Sequence, residues 1–329
     1  MHLQDAADLI DVSIQKIKSK MTNLPTGAVM RLYHEETAED YYEKDSGLSG
    51  FGEAARLTEN AIITSESPVQ TYDKTFTQVF HGKMAQFTLY DWKYGIKKRK
   101  LESVVKDLTG AANRKKERLL TEYLEKSKEG TTSYTVSDES GNWTKTVTGG
   151  DSLGLIHTAH TREDGGATWN NEITDGSTTN MDFALDGLKA LGRTASLVVD
   201  PKGNLMDVNY NVLVFRKGSS ISYTAMEIND ALRRGVQPQS PNRDGAHTSE
   251  FEIVTLPYLT TTASAYWWGL DTSLMSDVIG LQFRPSQGVE LDPPEVDYKT
   301  KTIYVSSTMA FDYSHNDARC WAGSDGTNS

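Results

Sequence analysis

Between residues 94 and 128, Leu101, Val104, Val105, Leu108, Ala112, Leu119 and Tyr123 lie on one helical face, while almost every other position is charged. Side chains three and four apart share a helix face, so the pattern predicts one long amphipathic helix. At 1.5 Å per residue, about 30 residues would span about 45 Å, well beyond the usual surface helix of a small domain. The fold must therefore lay a core along a rod. Gly110 interrupts the rod at a cost of about 1 kcal/mol, and a kink or a close packing contact is expected there. Lysines and arginines outnumber acids eleven to five in this segment, within a chain of net charge −11. The rest of the chain therefore stands at about −17. A basic face of this kind is either solvated and paired with acidic neighbours, or set against phosphates or an acidic partner. Lys97, Lys98, Arg99, Lys100, Arg114, Lys115 and Lys116 are the candidates for the second role.

The segments before the rod are of another kind. Leu3, Ala7, Ile10, Ile14, Ile17 and Met21 recur at helical spacing and predict a terminal amphipathic helix ended by Pro25 and Gly27. Residues 35–52 are acidic and carry Gly47, Gly50 and Gly52, which reads as a connection. From there to about residue 90, Val69, Tyr72, Phe76, Val79, Phe80, Phe87 and Leu89 stand among threonines and predict strands. With few apolar residues for a private core, residues 50–87 read as an extended β-arm.

After the rod comes a threonine-rich β stretch, 131–148, closed by Gly149 and Gly150. The chain then alternates elements in the manner of an α/β or α+β domain. Thr179 or Asn180 is placed to cap a helix carrying Phe183, Ala184, Leu188 and Leu191 and stopping at Gly192. Leu197, Val198 and Val199 predict a short strand, and Val212, Leu213, Val214 and Phe215 another. A helix over 220–234 follows, ending at Gly235, and then strand content around Phe251, Ile253, Val254 and the pair Trp267 and Trp268. A long strand is predicted over 298–311, and the tail 322–329 is too small and polar to fold alone.

Apolar residues form 37% and charged residues 24% of the 329, ordinary for a globular protein. No run approaches the ~20 apolar residues of a membrane span, and residues 1–11 lack the pattern of a secretory leader, so cytoplasmic production is expected. The single cysteine, Cys320, excludes an intramolecular disulfide and a cysteine-based metal cluster. The most enzyme-like cluster is His157 and His160 with Glu163 and Asp164, a set from which a zinc site with an open position could be built. No HExxH pattern accompanies it, and the flanking glycines Gly165 and Gly166 suggest a loop. The glycines of 47–52 are in the wrong order for a dinucleotide fingerprint, and no phosphate-binding GxxxxGK[ST] loop or GxSxG elbow occurs. Asn142-Trp143-Thr144 fits a glycosylation sequon by chance.

The order of these pieces carries a resemblance. An N-terminal arm, a polar β-hairpin arm, one very long helix, an inserted α/β domain and a final long strand together resemble the major capsid proteins of tailed bacteriophages, whose architecture is called the Johnson fold. Phe87-Thr88-Leu89-Tyr90-Asp91-Trp92 resembles that family's return from the extended loop into the spine helix. The run Leu205-Met206-Asp207-Val208-Asn209-Tyr210-Asn211-Val212-Leu213-Val214-Phe215, with Ala225 and Ile228, is similar to its strand that delivers a helix. Glu252-Ile253-Val254-Thr255-Leu256-Pro257-Tyr258-Leu259 resembles its strand ending in a Pro-x-Leu-like turn.

The resemblance covers nearly the whole chain and implies an α+β fold. Its parts would be an N-terminal arm (1–47), an extended loop (48–90), a peripheral domain with the spine helix (91–150), an axial domain (151–284), and a return to the peripheral domain with the last strand and tail (285–329). It implies a structural protein with no catalytic residue, cofactor or metal. Such a subunit self-assembles into hexamers and pentamers of an icosahedral head enclosing double-stranded DNA. Its partners would be copies of itself, the packaged DNA and possible portal, scaffold and decoration proteins, but no membrane, and it would be assembled in the host cytoplasm and reside in the virion. Two alternatives are an encapsulin-like shell around protein cargo, and a metal-dependent hydrolase using His157 and His160.

Overall fold

A computed structural model describes residues 11–12, 27–48, 65, 68, 70–88, 98–128, 130–233 and 251–327. The terminal helix expected over 3–21, all but two of its residues, lies outside the described residues, as do most of 49–69 and the segment 89–97.

In chain order the strands are β1 (His34–Glu35), β2 (Tyr42–Leu48), β3 (Gln70–Thr77) and β4 (Val79–Thr88), followed by helix α1 (Lys98–Lys126). Next come β5 (Ser133–Asp138), β6 (Gly141–Thr146), α2 (Leu185–Ala195), β7 (Val212–Arg216), α3 (Ser220–Arg233), β8 (Glu252–Leu256) and β9 (Trp267–Leu270). The last four strands are β10 (Leu281–Leu291), β11 (Glu295–Asp297), β12 (Thr302–His315) and β13 (Trp321–Ser324).

The rod is real and unbroken: α1 runs 29 residues, and its helical hydrogen bonding continues through Gly110. Of the face read from sequence, Val105, Leu108, Ala112, Leu119 and Tyr123 are buried, joined by Leu120 and Leu124. They lie against a five-stranded sheet built around β12, which pairs β10 and β11 along one edge and β4 along the other. β1 pairs with the far side of β10. Strand alternation sends Ile303, Val305, Met309, Phe311 and Tyr313 of β12 to one buried face. The Tyr123 and Tyr313 rings meet edge-on at 5.5 Å.

The second sheet has the order β13-β9-β7-β8, with β7 and β8 parallel and the other pairs antiparallel. Its core is aromatic: Phe183 meets Phe215 at 4.8 Å and Trp267 at 5.0 Å, both edge-on, and Trp267 donates its Nε1–H to the Met181 carbonyl at 2.9 Å. One continuous buried cluster joins the two sheets through Tyr123, Leu155, Ile156, Trp321 and their neighbours.

Several elements differ from the sequence reading, each for a tertiary reason. Residues 42–48, read as a connection, are a strand, because β3 supplies hydrogen-bonding partners from Tyr42↔Thr77 to Leu48↔Gln70. β4, read as part of the arm, pairs along ten positions with β12. α2 begins at Leu185 with neither Thr179 nor Asn180 as its cap, and it runs through Gly192 to Ala195. Phe183, wedged between Phe215 and Trp267, fixes where the helix can start. Residues 197–199 make only a single bridge, Val199 to Leu205. The tail is not idle: residues 322–324 lie in β13 and are buried. β10 was not foreseen because it contains Pro285 and Gly288, and the register shifts on either side of Gln287 show how it absorbs them as bulges.

Gly149 and Gly150 stop the β5–β6 hairpin where the chain passes under the end of β12. A methyl group on Gly150 would stand 2.0 Å from Asn316 Oδ1 and 2.7 Å from Tyr72 Cβ. Gly150→Ala is therefore expected to destabilise the subunit by about 1–3 kcal/mol. Urea unfolding checks this against Gly288→Ala, whose added methyl meets nothing within 4 Å and which should be near neutral. Equal midpoints for the two variants would refute the crowding.

Candidate functional site

The basic residues on α1 do not form one free face. Lys98, Arg99 and Lys100 sit on its first turn, and Lys97 lies outside the described residues. Lys115 turns inward and donates to Asp138, which also accepts the Trp143 Nε1–H at 3.0 Å. Burial would raise the Asp138 carboxyl, but these two donors hold it below its ordinary value. Lys116 lays its stem inward, its ammonium 5.5 Å from the centre of the Phe283 ring, and burial pushes its pKa down. Arg114 is exposed. Arg118, a neighbour that the sequence reading did not single out, donates to the Ser137 carbonyl at 3.3 Å and stands 3.9 Å from Asp138. Arg114, Lys115 and Arg118 line one wall of an open groove of about 950 Å³, with Phe80 and Met84 of β4 also in its lining.

His157 and His160 come together, their ring centres 5.8 Å apart, but His160 is built as a structural side chain. Its ring is 1% exposed and stacks on Trp169 at 4.5 Å. Nδ1 lies 2.7 Å from the Asp151 carboxylate and Nε2 lies 3.2 Å from Asn171 Oδ1. The Asn171 amide is fixed by the backbone, accepting from His157 N–H and donating to the carbonyls of Leu155 and Trp321. Both imidazole nitrogens are thus committed to protein oxygens, which leaves neither for a metal. Among the described residues, no group of three His, Cys, Asp or Glu is placed to hold a metal ion. Burial opposes the charge on Asp151, yet the His160 hydrogen bond keeps its pKa below normal. Glu163 and Asp317 clasp the buried Arg319, whose guanidinium lies 5.5 Å from the centre of the Trp169 ring. The cluster ties the 151–171 segment to the chain leading into β13.

The densest polar construction was missed in sequence. It roots the β2–β3 ribbon on the five-stranded sheet. Arg284 of β10 reaches Glu36 at 2.8 Å, Glu43 at 3.3 Å and Asp45 at 3.1 Å, and its guanidinium covers the buried Phe76 ring at 4.6 Å. Asp312 of β12 accepts the Thr77 N–H at 2.8 Å and pairs with Lys145 at 2.5 Å. Asn316 donates to the Tyr72 carbonyl at 3.0 Å, and Lys74 donates to the Thr148 carbonyl. Burial, reinforced by the nearby Lys145, pushes the Lys74 pKa down to about 8. The available signal was the unbroken polar run from Asp312 to Asn316, which continues the last strand with no glycine or proline to end it.

No sequence-family model and no curated protein matches the chain. Its fold does match solved structures. One is the capsid of an empty GTA particle, computed with C5 symmetry, at 10% identity and a TM-score of 0.50, covering 91% of this chain and 89% of that one. Another is from Gordonia phage Cozz, at 11% identity and a TM-score of 0.50 over 91% and 85% of the two chains. A third is from Mycobacterium phage Adephagia, at 12% identity and a TM-score of 0.48 over 91% and 90%. The chain has the α+β fold of phage major capsid proteins.

Proposed function

We propose that the chain is a major capsid protein that self-assembles into hexamers and pentamers of an icosahedral head around double-stranded DNA and has no catalytic role. The observation that carries this reading is the fold shared with the GTA capsid over nine-tenths of both chains. The root of the β2–β3 ribbon supports it as well. An arm that leaves a sheet must be anchored where it departs, and Arg284, Asp312 and Asn316 provide that anchor. Residues 48–90 are the extended loop of this reading, with β3 and β4 within it. Residues 91–150 and 285–329 would form its peripheral domain, 151–284 its axial domain, and 1–47 its arm. Subunits of this kind close rings through contacts that are individually modest and many in number. In this reading the basic run from Lys97 to Lys100 lies against packaged DNA or an acidic neighbouring surface.

Replacing residues 51–66 by a short Gly-Ser turn tests the proposal. β2, β3 and their anchors are retained, so the circular dichroism spectrum and the cooperativity of melting should stay close to those of the parent. Shells seen by negative-stain microscopy for the parent chain should be lost or fragile in the variant. Robust shells from the shortened chain would rule out the assembly role given to the loop. A parent chain that forms neither shells, tubes nor rings at any concentration or ionic strength would rule out the capsid reading itself.

A further inference from the structure

We propose that the free edge of β4, with the α1 side chains beside it, is a docking groove for an extended acidic segment of a partner polypeptide, which adds a strand to the five-stranded sheet. The inference does not depend on the capsid reading.

β4 pairs with β12 from Val79 to Thr88, and among the described residues no strand lies on its other side. Beyond that pairing, residues 79–87 make no backbone hydrogen bond among the described residues. The outward N–H and C=O groups of such an edge are a template for a further strand. Strand alternation turns Phe80, Gly82 and Met84 away from α1, and turns His81 and Lys83, opposite Met309 and Ser307, towards it. All five line the groove of about 950 Å³, so the groove runs along the edge of the strand and touches both faces. Five residues make about 17 Å of edge. Gly82, exposed at its centre, leaves room for another backbone to come close.

The edge accepts a peptide, and the walls select its sequence. On the α1 side, Arg114 makes no ion pair among the described residues, and Arg118 stands 3.9 Å from Asp138. Lys83 crosses to Glu139 at 2.9 Å, but both are exposed, and such a pair is readily exchanged for another carboxylate. Ser307, 1% exposed, and His81 line the same side, and Ser307 Oγ and His81 Nε2 have no hydrogen-bond partner among the described residues. This side therefore offers donors and positive charge. On the other side Phe80 and Met84 stand exposed. The strand that fits alternates acidic with apolar residues, its carboxylates towards α1 and its apolar side chains beside Phe80 and Met84. A nucleic acid fits less well, since it has no row of N–H and C=O groups for the edge, and Asp138 and Glu139 also line the groove.

The test uses the full chain and a fluorescein-labelled octapeptide that alternates glutamate and valine. Fluorescence anisotropy should show saturable binding, and hydrogen exchange over 79–86 should slow when the peptide is bound. R114E with R118E should weaken binding roughly tenfold or more. N-methylation of the peptide at its glutamates blocks one of its edges, and at its valines the other. One of the two should abolish binding, and the other, which leaves the edge facing β4 intact, should not. Absence of binding, equal effects of the two methylations, or unchanged affinity in the R114E, R118E chain overturns the proposal. An octathymidylate that binds as tightly as the peptide would make nucleic acid the occupant. Protection of 79–86 that rises with chain concentration in the absence of peptide would make a second copy the occupant, and either result overturns the proposal.

Discussion

Asp312→Ala should lower the stability of the subunit by about 3–5 kcal/mol, the cost of removing one partner of a buried ion pair. The Asp312 carboxylate is 6% exposed and its partner Lys145 12%. Its loss strands the Lys145 ammonium between the Tyr313 ring, 4.6 Å away, and Lys74, a second cation in the same pocket. The Thr77 N–H loses its acceptor at the same time. The effect has a location: Thr77 closes β3, so the β2–β3 ribbon should come away from the sheet before the rest unfolds. Urea titration measures the loss, and limited proteolysis should cut first within 42–77. Asp312→Asn keeps an acceptor for Thr77 and should lose less. A loss below about 1 kcal/mol for the alanine variant would mean that the pair is only a surface-grade interaction.

The second large effect is acid lability. His315 is fully buried, with Nδ1 2.8 Å from the Tyr123 hydroxyl. Burial first, and then the positive charge of Lys74, push its pKa down to about 3 from an ordinary 6.5. Asp151 partly opposes this and His160 adds to it. His81, less deeply placed, is pushed down to about 4, chiefly by burial and then by Lys115. A histidine that is neutral when folded and charged when unfolded contributes stability fully above the unfolded value. That contribution is lost as pH falls from about 6.5 towards 3 or 4. Each unit is worth about 1.4 kcal/mol, so acidification from pH 7 to pH 4 should cost several kcal/mol from His315 alone. The carboxyls of Asp151 and Asp138, held below their ordinary values, add to the loss at the acid end of the range. The check is the urea midpoint as a function of pH for the parent and for His315→Gln. The variant should show a flatter slope between pH 6.5 and 4, and an unchanged slope would show that His315 does not carry the effect.

The long helix was legible in sequence because its pattern is local. Val105, Leu108, Ala112, Leu119 and Tyr123 repeat with the period of the helix that buries them, and no distant residue is needed to read it. β7, α3, β8 and β9 were legible for the same reason: apolar runs such as Val212 to Phe215 announce a strand buried on both faces. The order of these pieces along the chain was enough to point to the capsid fold.

Pairing and polar anchorage were decided only by the tertiary structure. β2 is acidic and reads as a connection until β3 lies beside it. β10 carries a proline and a glycine that argue against a strand until its bulges place them. The short segment Trp321 to Ser324 becomes a buried strand because β9 offers it an edge. The candidate residues divided in the same way. Charge alone marked Arg114, Lys115 and Lys116 alike, yet Asp138 and the Phe283 ring draw two of them inward and leave Arg114 exposed. His157 and His160 resembled ligands by spacing, while the ring of His160 is held by Asp151 and Asn171, nine and eleven residues away in sequence. Helical periodicity is a property of neighbours in sequence and can be read from them. The partner of a strand edge, or of a buried charge, is a property of neighbours in space: Asp312 finds Thr77 235 residues away, and Arg284 finds Glu43 241 residues away.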